Sequence, residues 1–165
     1  MKRATIAVAF VAAAMIAGRA MAQTAHPDYS GTWIMQADKS SSDPAPLPTS
    51  ATWTITNHGD TITVDRTTIL ATGTLQSHVV VATDGKSYDN AVPLSPEITV
   101  NTTNIASYDA QGLVVKTSGS LQGSDFVQTD HWTLGADGKS LTSTRVVTVG
   151  EQTVQSATMY FTRKP

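Results

Sequence analysis

Residues 51–65, with the sequence ATWTITNHGDTITVD, determine the fold class. Before the polar turn at residues 57–60, Trp53 and Ile55 alternate with threonine. Ile62 continues the same alternation after the turn. Because successive side chains of a strand point to opposite faces, this period of two predicts a β-hairpin with one apolar and one polar face.

The same period recurs along most of the chain and gives about eight to ten short strands, beginning at residues 31–35. Proline and serine in residues 37–50 and 90–96 predict two loops, and the strand over residues 98–108 is either continuous or broken near Asn104. No segment shows a sustained helical period, which disfavours a parallel sheet with crossover helices. A meander has to close or protect its edge strands. The prediction is therefore an all-β fold, a single antiparallel up-and-down barrel of about 8–10 strands, with a β-sandwich as the alternative.

The composition narrows the class of protein. Of 165 residues only 15% are charged and none is cysteine, whereas 26 are threonine and 15 are serine. Threonine favours strands over helix interiors. The lack of cysteine excludes a disulfide scaffold, a cysteine-ligated zinc site, an iron–sulfur cluster and a cysteine nucleophile.

Residues 1–22 have the three regions of a secretory signal peptide. Lys2 and Arg3 precede an apolar run, and Ala20-Met21-Ala22 is a small-residue cleavage site. We therefore expect export to the periplasm or the medium, with residues 23–165 as the mature barrel domain. No cysteine follows the cleavage site, so a lipoprotein anchor is excluded.

The charge of the expected mature chain argues against several partners. Without the three cations of the signal segment, 8 Lys and Arg face 13 Asp and Glu, a net charge of −5. A weakly acidic chain without a basic run is a poor nucleic-acid binder. No stretch after the signal segment is apolar enough to span a membrane.

Two stretches near the start of the expected mature chain carry a family resemblance. Residues 28–33 read DYSGTW and residues 37–40 read ADKS. They resemble the beginning of bacterial secreted lipocalin-like proteins of the calycin superfamily. The resemblance implies an eight-stranded or slightly larger barrel, with a first-strand tryptophan packed at the closed end beneath a basic residue from the last strand. Trp33 fits the first role and Arg163 is the candidate for the second.

Three charged residues share the parity of apolar neighbours on their predicted strands. Arg66 follows the parity of Ile62, Asp130 that of Trp132, and Arg145 that of the apolar residues around it. One interpretation is a net positive pocket for an amphipathic anion, such as a fatty acid bound through its carboxylate. The other is an Arg–Asp–Arg network that fixes the strand register, or charges that reach solvent at strand ends. The candidate ligand-binding residues are Arg66, Arg145, Asp130, Trp53 and Trp132, with core packing as the other role of the tryptophans.

Motifs for catalysis or metal binding are missing from the sequence. There is no Gly-x-Ser-x-Gly elbow or phosphate-binding glycine loop, and the four histidines lack metal-ligand spacing. We therefore predict no catalytic residue, no metal and no cofactor. The predicted function is binding of a small hydrophobic or amphipathic anionic ligand without catalysis. The alternatives are an envelope protein–protein interaction module with a filled core, and an enzyme with its site at the barrel mouth. The oligomeric state is not predicted.

Overall fold

A computed structural model describes residues 26–165, so the expected signal segment at residues 1–22 lies outside the described residues. The described chain forms eleven β-strands. The strands are β1 (Gly31–Met35), β2 (Ser41–Asp43), β3 (Ser50–His58), β4 (Thr61–Leu70), β5 (Gly73–Ala82), β6 (Tyr88–Ser95), β7 (Ile98–Tyr108), β8 (Leu113–Leu121), β9 (Ser124–Leu134), β10 (Ser140–Val149) and β11 (Gln152–Arg163).

All strand pairs are antiparallel, and ten strands follow one path in the order β5-β4-β3-β1-β11-β10-β9-β8-β7-β6. The short β2 pairs with β11 beside this path. The sheet curls into a nearly closed up-and-down barrel, which confirms the predicted all-β class and not the β-sandwich. With eleven strands it exceeds the predicted range by one, and the extra strand is the three-residue β2.

Two predicted loops are wrong in part. Residues 37–50 contain β2, and most of residues 90–96 belongs to β6. β6 tolerates Pro93 because it lies at the end of the strand path and pairs through its backbone with β7 alone, with a register shift after that residue. β7 is continuous through Asn104.

The barrel is filled at one end and opens toward the other. Inward side chains of β4 are buried at Ile62 and Val64 but partly exposed from Arg66 onward, and β9 and β10 show the same gradient. The filled end carries the β3–β4, β5–β6, β7–β8 and β9–β10 turns. Its largest buried apolar side chains are Trp33, Trp132, Tyr29, Phe161, Ile55, Ile62, Leu113 and Leu141.

Trp33 lies at the bottom of the filled end and is fully buried. Its indole Nε1 donates to the Tyr29 carbonyl oxygen at 2.8 Å, and the Arg163 guanidinium carbon lies 4.5 Å from its ring centroid. Arg163 also donates to the Ser30 carbonyl oxygen. The predicted packing of Arg163 over Trp33 is confirmed.

Tyr29 ties the lead-in segment to two strands of the filled end. Its buried hydroxyl donates to the Trp132 carbonyl oxygen at 3.0 Å and accepts from the Leu113 amide at 3.2 Å. Burial raises the pKa of Tyr29 to about 12, although the Leu113 hydrogen bond opposes the rise. The folded protein therefore keeps this phenol neutral to a higher pH than the unfolded chain does.

The raised pKa of Tyr29 predicts a loss of stability in alkali. The unfolded chain releases this proton near pH 10 and the folded chain near pH 12, so the stabilisation is complete below pH 10 and is lost as the pH rises toward 12. Urea unfolding between pH 8 and 12 should show this decline in the wild type and a flatter profile in Tyr29→Phe. Tyr160→Phe, at an exposed tyrosine, should behave as the wild type. Equal slopes in all three proteins would contradict the assignment.

A side-chain seam, formed by Asn90 and Val80, joins the two ends of the strand path where no backbone ladder connects β5 to β6. The Asn90 amide accepts from the Val80 N–H at 2.7 Å and donates to the Val80 carbonyl at 2.9 Å. It also donates to Asn104, whose own amide donates to Thr117 at 2.7 Å. The Asn90 side chain thus links β5 to β6 by hydrogen bonds at a place where the backbones of the two strands do not pair.

Replacing Asn90 with alanine should open the seam. Both backbone groups of Val80 would lose their partner, and we expect unfolding to become easier by about 2 kcal/mol. Hydrogen exchange of the Val80 amide should accelerate, while that of Val81, in the ladder with β4, should change less. Asn101→Ala, an exposed asparagine on β7, is the matched control. An unchanged Val80 exchange rate would show that the seam does not depend on Asn90.

Candidate ligand-binding cavity

A cavity of about 310 Å³ lies inside the barrel between the filled end and the loop that joins β2 to β3. Pro46, Leu47 and Pro48 of this loop form part of its wall. Further apolar lining comes from strands all around the barrel. These residues include Ala51, Leu70, Leu75, Val79, Val92, Val115, Phe126 and Met159.

Asp130 and Arg145 form an ion pair on the cavity wall. The strand register sets them opposite each other on β9 and β10, and the Arg145 Nε donates to the carboxylate at 2.8 Å. The Asp130 side chain is 2% exposed and that of Arg145 is 20% exposed. The Gln128 amide donates to the second carboxylate oxygen. Each oxygen of the Asp130 carboxylate therefore accepts a hydrogen bond from a neighbouring side chain of the barrel.

Arg66 faces the cavity from β4 without such a partner. Its guanidinium carbon lies 4.7 Å from the ring centroid of Trp53, its cross-strand neighbour, and 6.0 Å from that of Trp132. Its Nε is buried and has no hydrogen-bond partner among residues 26–165. Indole faces attract a guanidinium, but they do not satisfy its N–H groups.

The electrostatics of the wall favour an anion. Burial lowers the pKa of Arg66 to about 10, against the opposing effect of Asp130, and Arg145 lowers it further. Arg66 therefore stays charged at neutral pH. Two guanidinium groups against one carboxylate leave one positive charge uncompensated among the charged residues that line the cavity.

The structure brings four of the five predicted site residues to the cavity wall, namely Arg66, Arg145, Asp130 and Trp53. Trp132 does not line the cavity. It lies beneath the wall, 1% exposed, with its ring centroid 5.3 Å from that of Trp53. Strand parity gives the face of a side chain correctly, but it carries no information about depth along the barrel axis.

Sequence reasoning missed a polar group of the wall. Thr102, Asn104 and Thr117 line the cavity and belong to the hydrogen-bond network that begins at the seam. Thr102 and Asn104 share the parity of the buried Val100 and Ala106, so the period-two pattern contained the signal. Their hydroxyl and amide groups add polar positions to an otherwise apolar lining.

The histidines of the described chain lie away from the cavity. His78 pairs with Asp65 at 2.7 Å and His131 with Asp109 at 3.0 Å, both on the outer surface of the strands or turns. No group of three or more His, Asp or Glu that could hold a metal occurs between residues 26 and 165. Over the same range no helix is long and apolar enough to cross a membrane.

Solved structures provide the comparisons, because no protein-family model and no curated protein matches the chain. The barrel is similar to apo Caenorhabditis elegans lipid binding protein 8, with a TM-score of 0.51 and 14% identity over 82% of this chain and 95% of that one. Rv2717c from M. tuberculosis gives a TM-score of 0.49 at 11% identity, over 82% of this chain and 92% of that one. Zebrafish ileal bile acid-binding protein complexed with cholic acid gives a TM-score of 0.47 at 16% identity, over 82% of this chain and 98% of that one. At this identity the likeness to the nematode protein shows a shared fold alone, and it confirms the predicted antiparallel up-and-down barrel.

Proposed function

We propose that the chain is an exported, lipocalin-like binding protein of the bacterial secreted kind, which takes up a small amphipathic carboxylate in its barrel without catalysis. The observation that carries the proposal is Arg66, a charged guanidinium that faces the cavity and has no acidic partner of its own. The nematode protein with the similar barrel is named a lipid binding protein, which is in keeping with this role. The export part of the proposal rests on residues 1–22.

The geometry of Arg66 suits a carboxylate. The indoles of Trp53 and Trp132 lie against the guanidinium, so its N–H edge is the part left to bind an acceptor. A guanidinium edge and a carboxylate match in a two-bond, charge-assisted arrangement. The apolar residues of the wall then receive the rest of the ligand.

The size of the cavity limits the ligand. About 310 Å³ lies at the lower end of the roughly 300–1,000 Å³ that is typical of small-molecule sites. A medium-chain carboxylate such as decanoate is therefore a better probe than a long fatty acid.

Both alternative functions receive less support. An interaction module with a filled core does not account for the cavity. An enzyme at the barrel mouth would need Arg66, Asp130 and Arg145 together, but Asp130 is committed to Arg145 and Gln128.

Calorimetric titration with decanoate, and with decanol as its neutral counterpart, tests the proposal. A charge-assisted hydrogen bond contributes about 1.5–3 kcal/mol, so Arg66→Ala should weaken decanoate binding by about 10- to 100-fold. Decanol binding should change little, because the apolar wall remains. Lys116→Ala, at an exposed position of β8, should bind both probes as the wild type does. If Arg66→Ala binds decanoate normally but unfolds more easily, Arg66 has a structural role.

A further inference from the structure

A row of polar side chains crosses the cavity wall on strands β7 to β9. It consists of Asn104, Thr117 and Gln128, and all three line the cavity. The register makes them neighbours, since Thr117 on β8 lies opposite Asn104 on β7 and opposite Gln128 on β9. Directly opposed side chains of antiparallel strands have Cβ atoms about 4.5–5.5 Å apart, so the three form one continuous polar group.

The hydrogen bonds of Asn104 fix the orientation of its amide. The amide oxygen accepts from Asn90 at 3.0 Å and from Thr102 at 3.2 Å. The amide nitrogen therefore points the other way and donates to the Thr117 hydroxyl at 2.7 Å. The Thr117 oxygen is the acceptor in this bond, and its own proton has no acceptor among residues 26–165. Thr117 is 7% exposed, so a buried and unused donor lies at the cavity wall.

Gln128 presents the opposite kind of group to the cavity. Its amide nitrogen donates to the carboxylate of Asp130, which is paired with Arg145 and can only accept. The amide oxygen of Gln128 is therefore left as an acceptor, and it has no donor in the described part of the chain. A donor from Thr117 and an acceptor from Gln128 thus lie side by side on the wall.

A hydroxyl group satisfies both of these groups at once. It accepts from Thr117 with its oxygen and donates to Gln128 with its proton, whereas a carbonyl or an ether oxygen can only accept. Arg66 lies deeper, because its guanidinium carbon is 6.0 Å from the ring centroid of Trp132, two inward positions below Gln128 on β9. A ligand whose carboxylate reaches Arg66 therefore meets the row several carbons along its chain.

We propose that Thr117 and Gln128 form a subsite for a hydroxyl group, so that the ligand of the cavity is a hydroxylated carboxylate of medium chain length. The carboxylate part of this inference rests on the proposed function. The hydroxyl part depends on the unused donor and acceptor of the polar row. A site of this kind discriminates against an analogue without the hydroxyl, because both of its polar groups then stay unpaired.

Calorimetric titration with 6-hydroxydecanoate, decanoate and decanol tests the subsite. The wild type should bind 6-hydroxydecanoate about tenfold more tightly than decanoate, because hydrogen bonds to Thr117 and Gln128 are gained. Thr117→Val keeps the shape of the side chain and removes the hydroxyl. It should weaken 6-hydroxydecanoate and decanol about tenfold and leave decanoate unchanged. Thr117→Ser keeps the hydroxyl and should retain the preference, as should Thr129→Val, at an exposed threonine of β9.

A second variant covers the case in which Thr117→Val folds poorly. Gln128→Met removes the acceptor, leaves the bond between Asn104 and Thr117 intact, and should lose the same preference for the hydroxylated acid. A preference that survives in both variants would place the ligand hydroxyl elsewhere and overturn the inference.

The three probes also separate this inference from the proposed function. Equal binding of 6-hydroxydecanoate and decanoate by the wild type, with decanol binding unchanged in Thr117→Val, would reject the subsite and leave the proposed function standing. Decanol binding that depends on Thr117, without any binding of decanoate, would support the subsite and reject the carboxylate ligand.

Discussion

Replacing Asp130 with alanine is expected to lower the free energy of unfolding by about 3–5 kcal/mol, because it leaves the partly buried guanidinium groups of Arg66 and Arg145 without a counter-ion inside the barrel. The carboxylate is nearly inaccessible to solvent and accepts from both Arg145 and Gln128. It is also the negative charge that offsets the burial of Arg66. Without it, Arg66 and Arg145 repel each other across the cavity.

Urea unfolding of matched variants measures this effect. Asp130→Asn keeps the shape of the side chain but loses its charge, and should be nearly as unstable as the alanine variant. Replacing Asp130 by leucine together with Arg145 by methionine removes both charges and should recover much of the stability. Asp84→Ala breaks a surface pair with Lys86 and should cost far less than the loss of Asp130. A loss at Asp130 no larger than at Asp84 would contradict the role assigned to the buried pair.

Gly112→Ala is expected to destabilise the filled end by about 4 kcal/mol or more. Gly112 is buried with φ +154°, and a Cβ at this position would lie 2.0 Å from the Trp132 carbonyl oxygen. That carbonyl also accepts the Tyr29 hydrogen bond. The new atom would therefore push apart β8 and β9 at the point where the lead-in segment is anchored.

Thermal unfolding of two alanine variants compares a position where a Cβ would clash with one where it would not. Gly123 has φ +81° and no atom within 4 Å of the point where a Cβ would lie, so Gly123→Ala should cost only about 1–2 kcal/mol. The difference between the two variants combines the close approach at Gly112 with its φ of +154°, which suits an alanine less well than +81°. Similar melting temperatures for both would show that the β7–β8 turn can move aside.

The fold was predictable because burial on one face of a strand imposes a period of two. Trp53, Ile55 and Ile62 are all buried on the inward face, as their alternation with threonine requires. β6 was missed because Pro93 disrupts a strand in most settings, and only the position of β6 at the end of the path makes it tolerable. The seam at Asn90 was not predictable, because it depends on which strands meet when the sheet curls.

The candidate site was predictable to the level of which side chains face inward. Strand parity predicted that Arg66, Asp130 and Arg145 lie inside the barrel. It did not show which of the two arginines would form the ion pair with Asp130. The register of the β9–β10 hairpin, fixed by the turn at residues 135–139, decides this in favour of Arg145. The depth of Trp132 depends on how the filled end packs, which is a property of the whole barrel.

The position of the seam has a consequence for how the barrel assembles. Every ladder of the sheet joins strands that are near one another in the sequence, except the two that pair β11 with β1 and with β2. Pairing of β11 with β1 and β2 therefore carries the largest loop-closure entropy of the barrel. Consider a circular permutant in which β11 is linked to β1 and the chain begins between β5 and β6. In it the pairing of β1 with β11 would become a local hairpin. The contacts of β5 with β6 and β7 would become long-range in exchange, so the contact order and the folding rate should change little.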